Sequence, residues 1–160
     1  DFPKPSTDPY HHLAIHPYPV QLVKNVQLND GTDIDIRPKR PEDDEIEAKF
    51  VREQSRDAIY YRYMNSLQQL SKEILVRFTQ IVYHNEMALI AVSSTPKGEE
   101  QIGVARYTTN LVKTCCEFAL VVSDRWQGRG IAHQLMLNLM DVARDRDLER
   151  MEGQVLSNNL

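Results

Sequence analysis

Val121-Val122-Ser123-Asp124-Arg125-Trp126-Gln127-Gly128-Arg129-Gly130-Ile131-Ala132 is the stretch that decides how this chain is read. An apolar strand end passes through a short polar turn into two glycines, and Ile131, Leu135, Leu139 and Val142 then recur at helical spacing. Backbone N–H groups at such a junction have no intrahelical partner, and the helix dipole adds about half a positive charge at the same point. Glycine lets the main chain close on an anion, and Arg125, Arg129 and His133 add charge nearby. A diphosphate is the expected guest. Two glycines taken alone would equally serve a tight turn and nothing more. A P-loop needs Gly-Lys-Ser or Gly-Lys-Thr after its second glycine, and a dinucleotide fold needs three glycines in an early strand-helix unit; the chain has neither.

Working outward, residues 87–92 and 102–107 are apolar runs on either side of Ser93-Ser94-Thr95-Pro96-Lys97-Gly98, which predicts an antiparallel pair. Residues 118–122 form the next strand. Further upstream, Asn29-Asp30-Gly31-Thr32 separates residues 23–28 from the alternating Ile34 and Ile36, a strong hairpin signal. Pro41-Glu42-Asp43-Asp44 sets proline and carboxylates at a helix start, with Ile46, Phe50 and Val51 as its apolar stripe. Two more helical regions are predicted around Tyr60, Tyr61, Tyr63 and Met64 and from Ser71 through Ile74, Leu75 and Phe78. After the glycines, Arg144, Arg146 and Arg150 fall in or just past the last turn of a long helix, and residues 151–156 read as one more short strand. The fold class is α+β: a mostly antiparallel central sheet flanked by helices.

A chain of 160 residues suffices for one core, so a single domain is expected over residues 21–160. Residues 1–20 hold Pro3, Pro5, Pro9, Pro17 and Pro19, five of the eight prolines, and read as an interdomain linker entering from a larger parent protein. Apolar residues at 41% and charged residues at 26% are ordinary for a folded domain. The longest apolar run, residues 87–92, is far short of the roughly 20 residues that cross a bilayer. A net charge of −4 speaks against a nucleic-acid partner, which demands a basic surface. Cys115 and Cys116 are adjacent, a spacing ill suited to bridging each other, so a reduced, cytoplasmic setting is expected. His11, His12 and His16 lack the further ligands a metal site needs, and no metal is expected.

The run Gln-x-x-Gly-x-Ala at residues 127–132, with its preceding strand, Trp126 and following helix, resembles the signature of the GNAT acetyltransferases. The order of elements from residue 21 onward is similar to that family's as well. A closer likeness is to the acetyltransferase domain of bacterial Pat-type protein lysine acetyltransferases. Ile15-His16-Pro17-Tyr18-Pro19, Tyr60-Tyr61-Arg62-Tyr63 and Glu117-Phe118-Ala119 carry it. The resemblance implies acetyl-CoA as cosubstrate and a reactive lysine of a protein as acceptor, with acyl-CoA synthetases as targets. It also implies a partner region of acyl-CoA synthetase type on the N-terminal side. The family continues with a fourth helix and two further strands, so the domain is expected to be C-terminally incomplete at Leu160, and no general acid is assigned.

For the site, the resemblance implies Glu117 as general base, acting through a water. A base is needed because a lysine amine with a pKa of about 10.4 is almost wholly protonated at neutral pH. Burial by Phe118 and Leu120 is expected to raise the Glu117 pKa; Asp124, Glu86 and His84 are the weaker rivals. By the same resemblance the Leu120 N–H faces the thioester carbonyl, Val121 and Val122 run along the pantetheine arm, and Gln127, Gly128, Arg129, Gly130, Ile131 and Ala132 hold the pyrophosphate. Asn159 falls where the family carries an asparagine on that arm. Two other functions fit the same residues: acetylation of a small amine, which predicts a narrow acidic pocket near Glu117, and non-catalytic acyl-CoA sensing, which predicts indifference to Glu117→Gln.

Overall fold

The computed structural model describes residues 17–54, 86–109 and 114–153. The helical regions predicted around Tyr60 and from Ser71, the histidines at 11, 12, 16 and 84, and Asn159 lie outside those residues.

Six strands form one sheet whose spatial order follows the sequence. Strands β1 (Lys24–Gln27) and β2 (Asp33–Pro38) pair antiparallel with Gln27 opposite Asp33. The predicted turn closes them: the Leu28 N–H donates to Thr32 O at 2.8 Å, and Gly31 takes the positive φ of 86° that its position requires. A 3-10 turn at Pro41–Asp43 leads into α1 (Asp44–Arg52). Strands β3 (Glu86–Thr95) and β4 (Gly98–Thr109) reverse over Pro96 and Lys97 alone. That turn is shorter than expected because Thr95 donates its hydroxyl to Gly98 O at 2.6 Å, pulling the polar residues into the ladder. Strand β5 (Cys115–Val122) extends the apolar run of residues 118–122 back through both cysteines, which were expected as strand residues and are free thiols. Helix α2 (Ile131–Asp145) crosses back to β6 (Arg150–Gly153). Among the described strands only β5 and β6 are parallel, as a helical crossover requires.

Each sheet face carries its own core. Ile34, Ile36, Met87, Leu89, Ala105 and Tyr107 meet Ile131, Leu135 and Leu139 of α2, while Ile90, Val92 and Val104 meet Phe50 and Val51 of α1. Leu135 and Leu139 are fully buried, so truncating either to alanine would cost about 2–5 kcal/mol. A β-bulge lets α2 come close: Ala91 faces Gly103 and Val92 faces Gln101, leaving Ile102 as the extra residue. A Cβ on Gly103 would stand 3.0 Å from Leu135 Cδ1 and 3.4 Å from Ile131 Cγ2, so glycine is what admits the first turns of α2 at this distance.

A layer of buried ions lies on the α1 side, and the sequence reading missed it. Arg37, 2% exposed, is held bidentate by Asp43 at 2.7 and 2.8 Å and by Glu99 at 2.9 Å. Burial works against its charge, yet the hydrogen bonds to Asp43 and Glu99 outweigh that and keep its pKa above the ordinary arginine value. Asp43 also accepts the Arg40 N–H at 2.6 Å, which ties the start of the helix to the strand. Beside this group Lys39 and Glu47 form a second buried pair at 3.4 Å, and Gln101 donates to Glu47. Near the chain's start, Tyr18 donates to Pro38 O at 2.7 Å and Arg40 sits over its ring at 5.0 Å, with a 3-10 turn at Val20–Leu22. Part of the segment expected to be linker is thus packed against β2.

Candidate functional site

The glycine loop adopts the geometry its sequence suggested. Gly128 and Gly130 both take left-handed backbone angles, φ 74° and 86°, and Gly130 is the N-cap of α2. No side chain caps this helix. Among the described residues no acceptor takes the N–H of residues 128–133, while Gln134 starts the helical ladder by donating to Gly130 O at 3.1 Å. Six N–H groups without an acceptor among the described residues therefore lie in succession at the positive end of a helix of 15 residues. Ala132 and His133 are exposed on the first turn, whereas Ile131 is buried and anchors it.

The turn before the glycines is fixed from three sides. The Ser123 N–H donates to the bulge carbonyl of Ile102 at 2.8 Å, so the bulge serves the loop as well as the helix. Gln127 donates its side-chain amide to Asp124 Oδ1 at 3.2 Å and to Val122 O at 3.4 Å. Arg125 bridges Glu100 at 2.9 Å and Glu53 at 3.2 Å, and Lys49 joins Glu100 at 3.6 Å. The loop's other arginine, Arg129, lies over the Trp126 ring at 4.6 Å and meets Asp30 of the β1–β2 turn at 3.3 Å. Hydrogen bonds from Thr32, helped by Arg129, hold the Asp30 carboxyl below its usual range. Both arginines were expected to add local charge; both are also ion-paired. Asp30 carries no sequence signal for this role beyond its place in a turn.

Strand β5 supplies the second half of the site. Its Ser123 end bonds toward β4, and the two-residue alternation of an antiparallel ladder turns the Val122 and Leu120 N–H groups to the opposite edge. Among the described residues β6 pairs only with the stretch from Cys115 to Phe118, ending at Phe118 opposite Gly153. The N–H groups of Leu120 and Val122 thus point along the edge that leads to the glycine loop.

Glu117 sits near the other end of β5, opposite Thr108 and beside Glu152. It is exposed, which corrects the expectation that Phe118 and Leu120 bury it. The reason is strand parity: Phe118 and Leu120 pack on the α2 face, and Glu117 belongs with Ala119 and Val121 on the α1 face. Of the rivals, Asp124 is engaged by Gln127 in the loop, and Glu86 pairs with Arg106 at 3.5 Å. Among the described residues no group of three His, Cys, Asp or Glu is arranged to hold a metal, and no helix is long and apolar enough to cross a membrane.

Residues 46–160 match the acetyltransferase (GNAT) family. An acetyltransferase of Pseudomonas aeruginosa is 32% identical over 124 residues, which cover 78% of this chain and 67% of that protein. Among solved structures, the GNAT domain of PAT from S. lividans superposes with a TM-score of 0.80 at 30% identity, covering 89% of this chain and 84% of that one. A cAMP-binding acyltransferase from Mycobacterium smegmatis superposes with a TM-score of 0.58 at 25% identity over 87% of this chain. This chain spans 40% of that protein. The family match covers residues 46–160, and the relatives with the same fold are acetyltransferases; the chain belongs to the GNAT acetyltransferase family, whose members use acetyl-CoA.

Proposed function

We propose that residues 21–160 form a domain that transfers the acetyl group of acetyl-CoA to the side-chain amine of a lysine in a protein. The observation that carries this reading is the glycine loop itself: six N–H groups with no acceptor among the described residues, at a helix start that β5 feeds directly. In this reading the loop from Gln127 to Ala132 holds the diphosphate, and Val121 and Val122 line the pantetheine arm, which pairs with the strand edge. Asn159 adds a hydrogen bond to the same arm.

Glu117, acting through a water, takes a proton from the lysine ammonium, and the freed amine attacks the thioester carbon. The Leu120 N–H stabilises the oxygen that gains negative charge, the C–S bond breaks, CoA leaves as the thiolate, and the second proton of the attacking amine passes to solvent as the amide forms. The exposure of Glu117 supports an acceptor presented on a protein surface over a small amine enclosed in a narrow pocket. The likeness to the Pat-type domain supports acyl-CoA synthetases as targets, an acyl-CoA synthetase-like region as N-terminal partner through residues 1–20, and a cytoplasmic setting.

Calorimetric titration of acetyl-CoA and CoA tests the cradle. The wild-type chain is expected to bind both and Gly130→Glu neither, since the new carboxylate repels the diphosphate. Glu117→Gln is expected to keep acetyl-CoA affinity and lose about 100-fold or more in lysine acetylation. Unchanged turnover in Glu117→Gln would remove the base assignment, whereas acetyl-CoA binding with no acetylation by the wild type would leave acyl-CoA sensing as the better reading.

A further inference from the structure

Arg129 stands between the two left-handed glycines, yet its side chain is already engaged on the hairpin side of the loop. Its guanidinium covers the Trp126 ring at 4.6 Å, and its Nη1 donates to Asp30 Oδ2 at 3.3 Å. Asp30 comes from the β1–β2 turn, 99 residues away in sequence. That carboxylate is itself fixed, because its Oδ1 accepts the Thr32 N–H at 2.9 Å in the turn that Gly31 closes. A built counter-charge therefore stands beside a cradle of N–H donors.

A diphosphate entering the cradle offers Arg129 more charge than one carboxylate does, and phosphate oxygens accept a guanidinium through two parallel hydrogen bonds. The contact it must break is a single hydrogen bond between partly exposed groups, 40% and 44% accessible, which water already weakens. The arginine side chain is long enough to swing without moving the glycines. We propose that Asp30 is a parking counter-ion for Arg129, which the diphosphate of the cofactor displaces on binding. The inference rests on the reading that this loop holds the diphosphate. Asp30 acts only through Arg129: it lowers cofactor affinity and so speeds release of the product CoA.

The full chain contains one tryptophan, and it is the residue beneath Arg129, so its fluorescence reads the exchange directly. CoA would be titrated into the wild type, Asp30→Asn, Arg129→Gln and the double variant, each first checked for a native circular dichroism spectrum. Asp30→Asn is expected to tighten CoA binding about threefold or more at low salt, and Arg129→Gln to weaken it. In the Arg129→Gln background the Asp30 change is expected to have no effect. Trp126 emission should change with CoA in the wild type and not in Arg129→Gln. An unchanged or weaker affinity in Asp30→Asn would overturn the proposal, as would equal tightening in both backgrounds, which is general repulsion. Absence of any calorimetric CoA binding by the folded wild type would instead remove the diphosphate reading, and the role of Asp30 with it.

Discussion

Gly153 lies directly beneath the ring of Phe118: a Cβ at residue 153 would stand 2.6 Å from Phe118 Cζ and 2.7 Å from Cε1. The two residues are also the last described rung of the parallel β5–β6 pair. Gly153→Ala must therefore push the ring or part the strands, and overpacking of this kind costs about 1–3 kcal/mol. Chemical denaturation is expected to show that loss, and Phe118→Leu in the same chain is expected to recover part of it by removing the opposing atoms.

Breaking the buried pair under α1 should hurt more than any surface change. Asp43→Asn leaves the Arg37 charge, 2% exposed, with only Glu99 to answer it. One-sided removal from a buried pair typically costs about 3–5 kcal/mol. Denaturant midpoints would measure this, and an effect below about 1 kcal/mol would mean that water reaches Arg37 readily.

Alkaline stability should turn on Tyr107. Burial lifts its phenol above the ordinary value, and the Arg146 guanidinium, whose Nη1 donates to the hydroxyl at 3.1 Å, opposes part of that rise. The folded chain then binds the proton more tightly than the unfolded chain. Stability is fully present below about pH 10 and falls as pH climbs through the folded value. Unfolding free energies from pH 8 to 11 are expected to decline in the wild type and to decline less in Tyr107→Phe. Burial pushes the Cys116 thiol in the same direction, so Cys116→Ala should also flatten this limb.

Gly128→Ala and Gly130→Ala test the loop with the smallest possible change. Neither added Cβ meets an atom within 4 Å, so no clash confuses the result. What remains is the left-handed backbone, which costs an alanine about 1–2 kcal/mol at each position. Both variants should lose stability by about that amount, and their CoA affinity should fall as the N–H groups turn off axis.

The sheet and its two faces were legible because their residues obey simple periods. Ile34 and Ile36 alternate, Leu135 and Leu139 repeat by four, and the Asn29-Asp30-Gly31-Thr32 turn closes as written. The glycine loop was legible for a related reason: glycine takes its left-handed backbone angles without the strain a side chain adds. What the sequence hid was pairing between distant charges. Nothing in the order of residues joins Arg37 to Glu99, Arg125 to Glu53 or Arg129 to Asp30, because each pair exists only after the strands take their register. The expected burial of Glu117 failed for want of parity, since its neighbours Phe118 and Leu120 belong to the other face.

Among the described residues the β5–β6 pair is the one parallel joint of the sheet, and it closes through the α2 crossover. The left-handed glycines are the first bend of that crossover. The proposed seat for the diphosphate and the reversal of the chain are one piece of backbone. On the proposed reading, a substitution at residue 128 or 130 is therefore felt twice, once by whether the last strand finds its neighbour and once by whether the acyl donor is held.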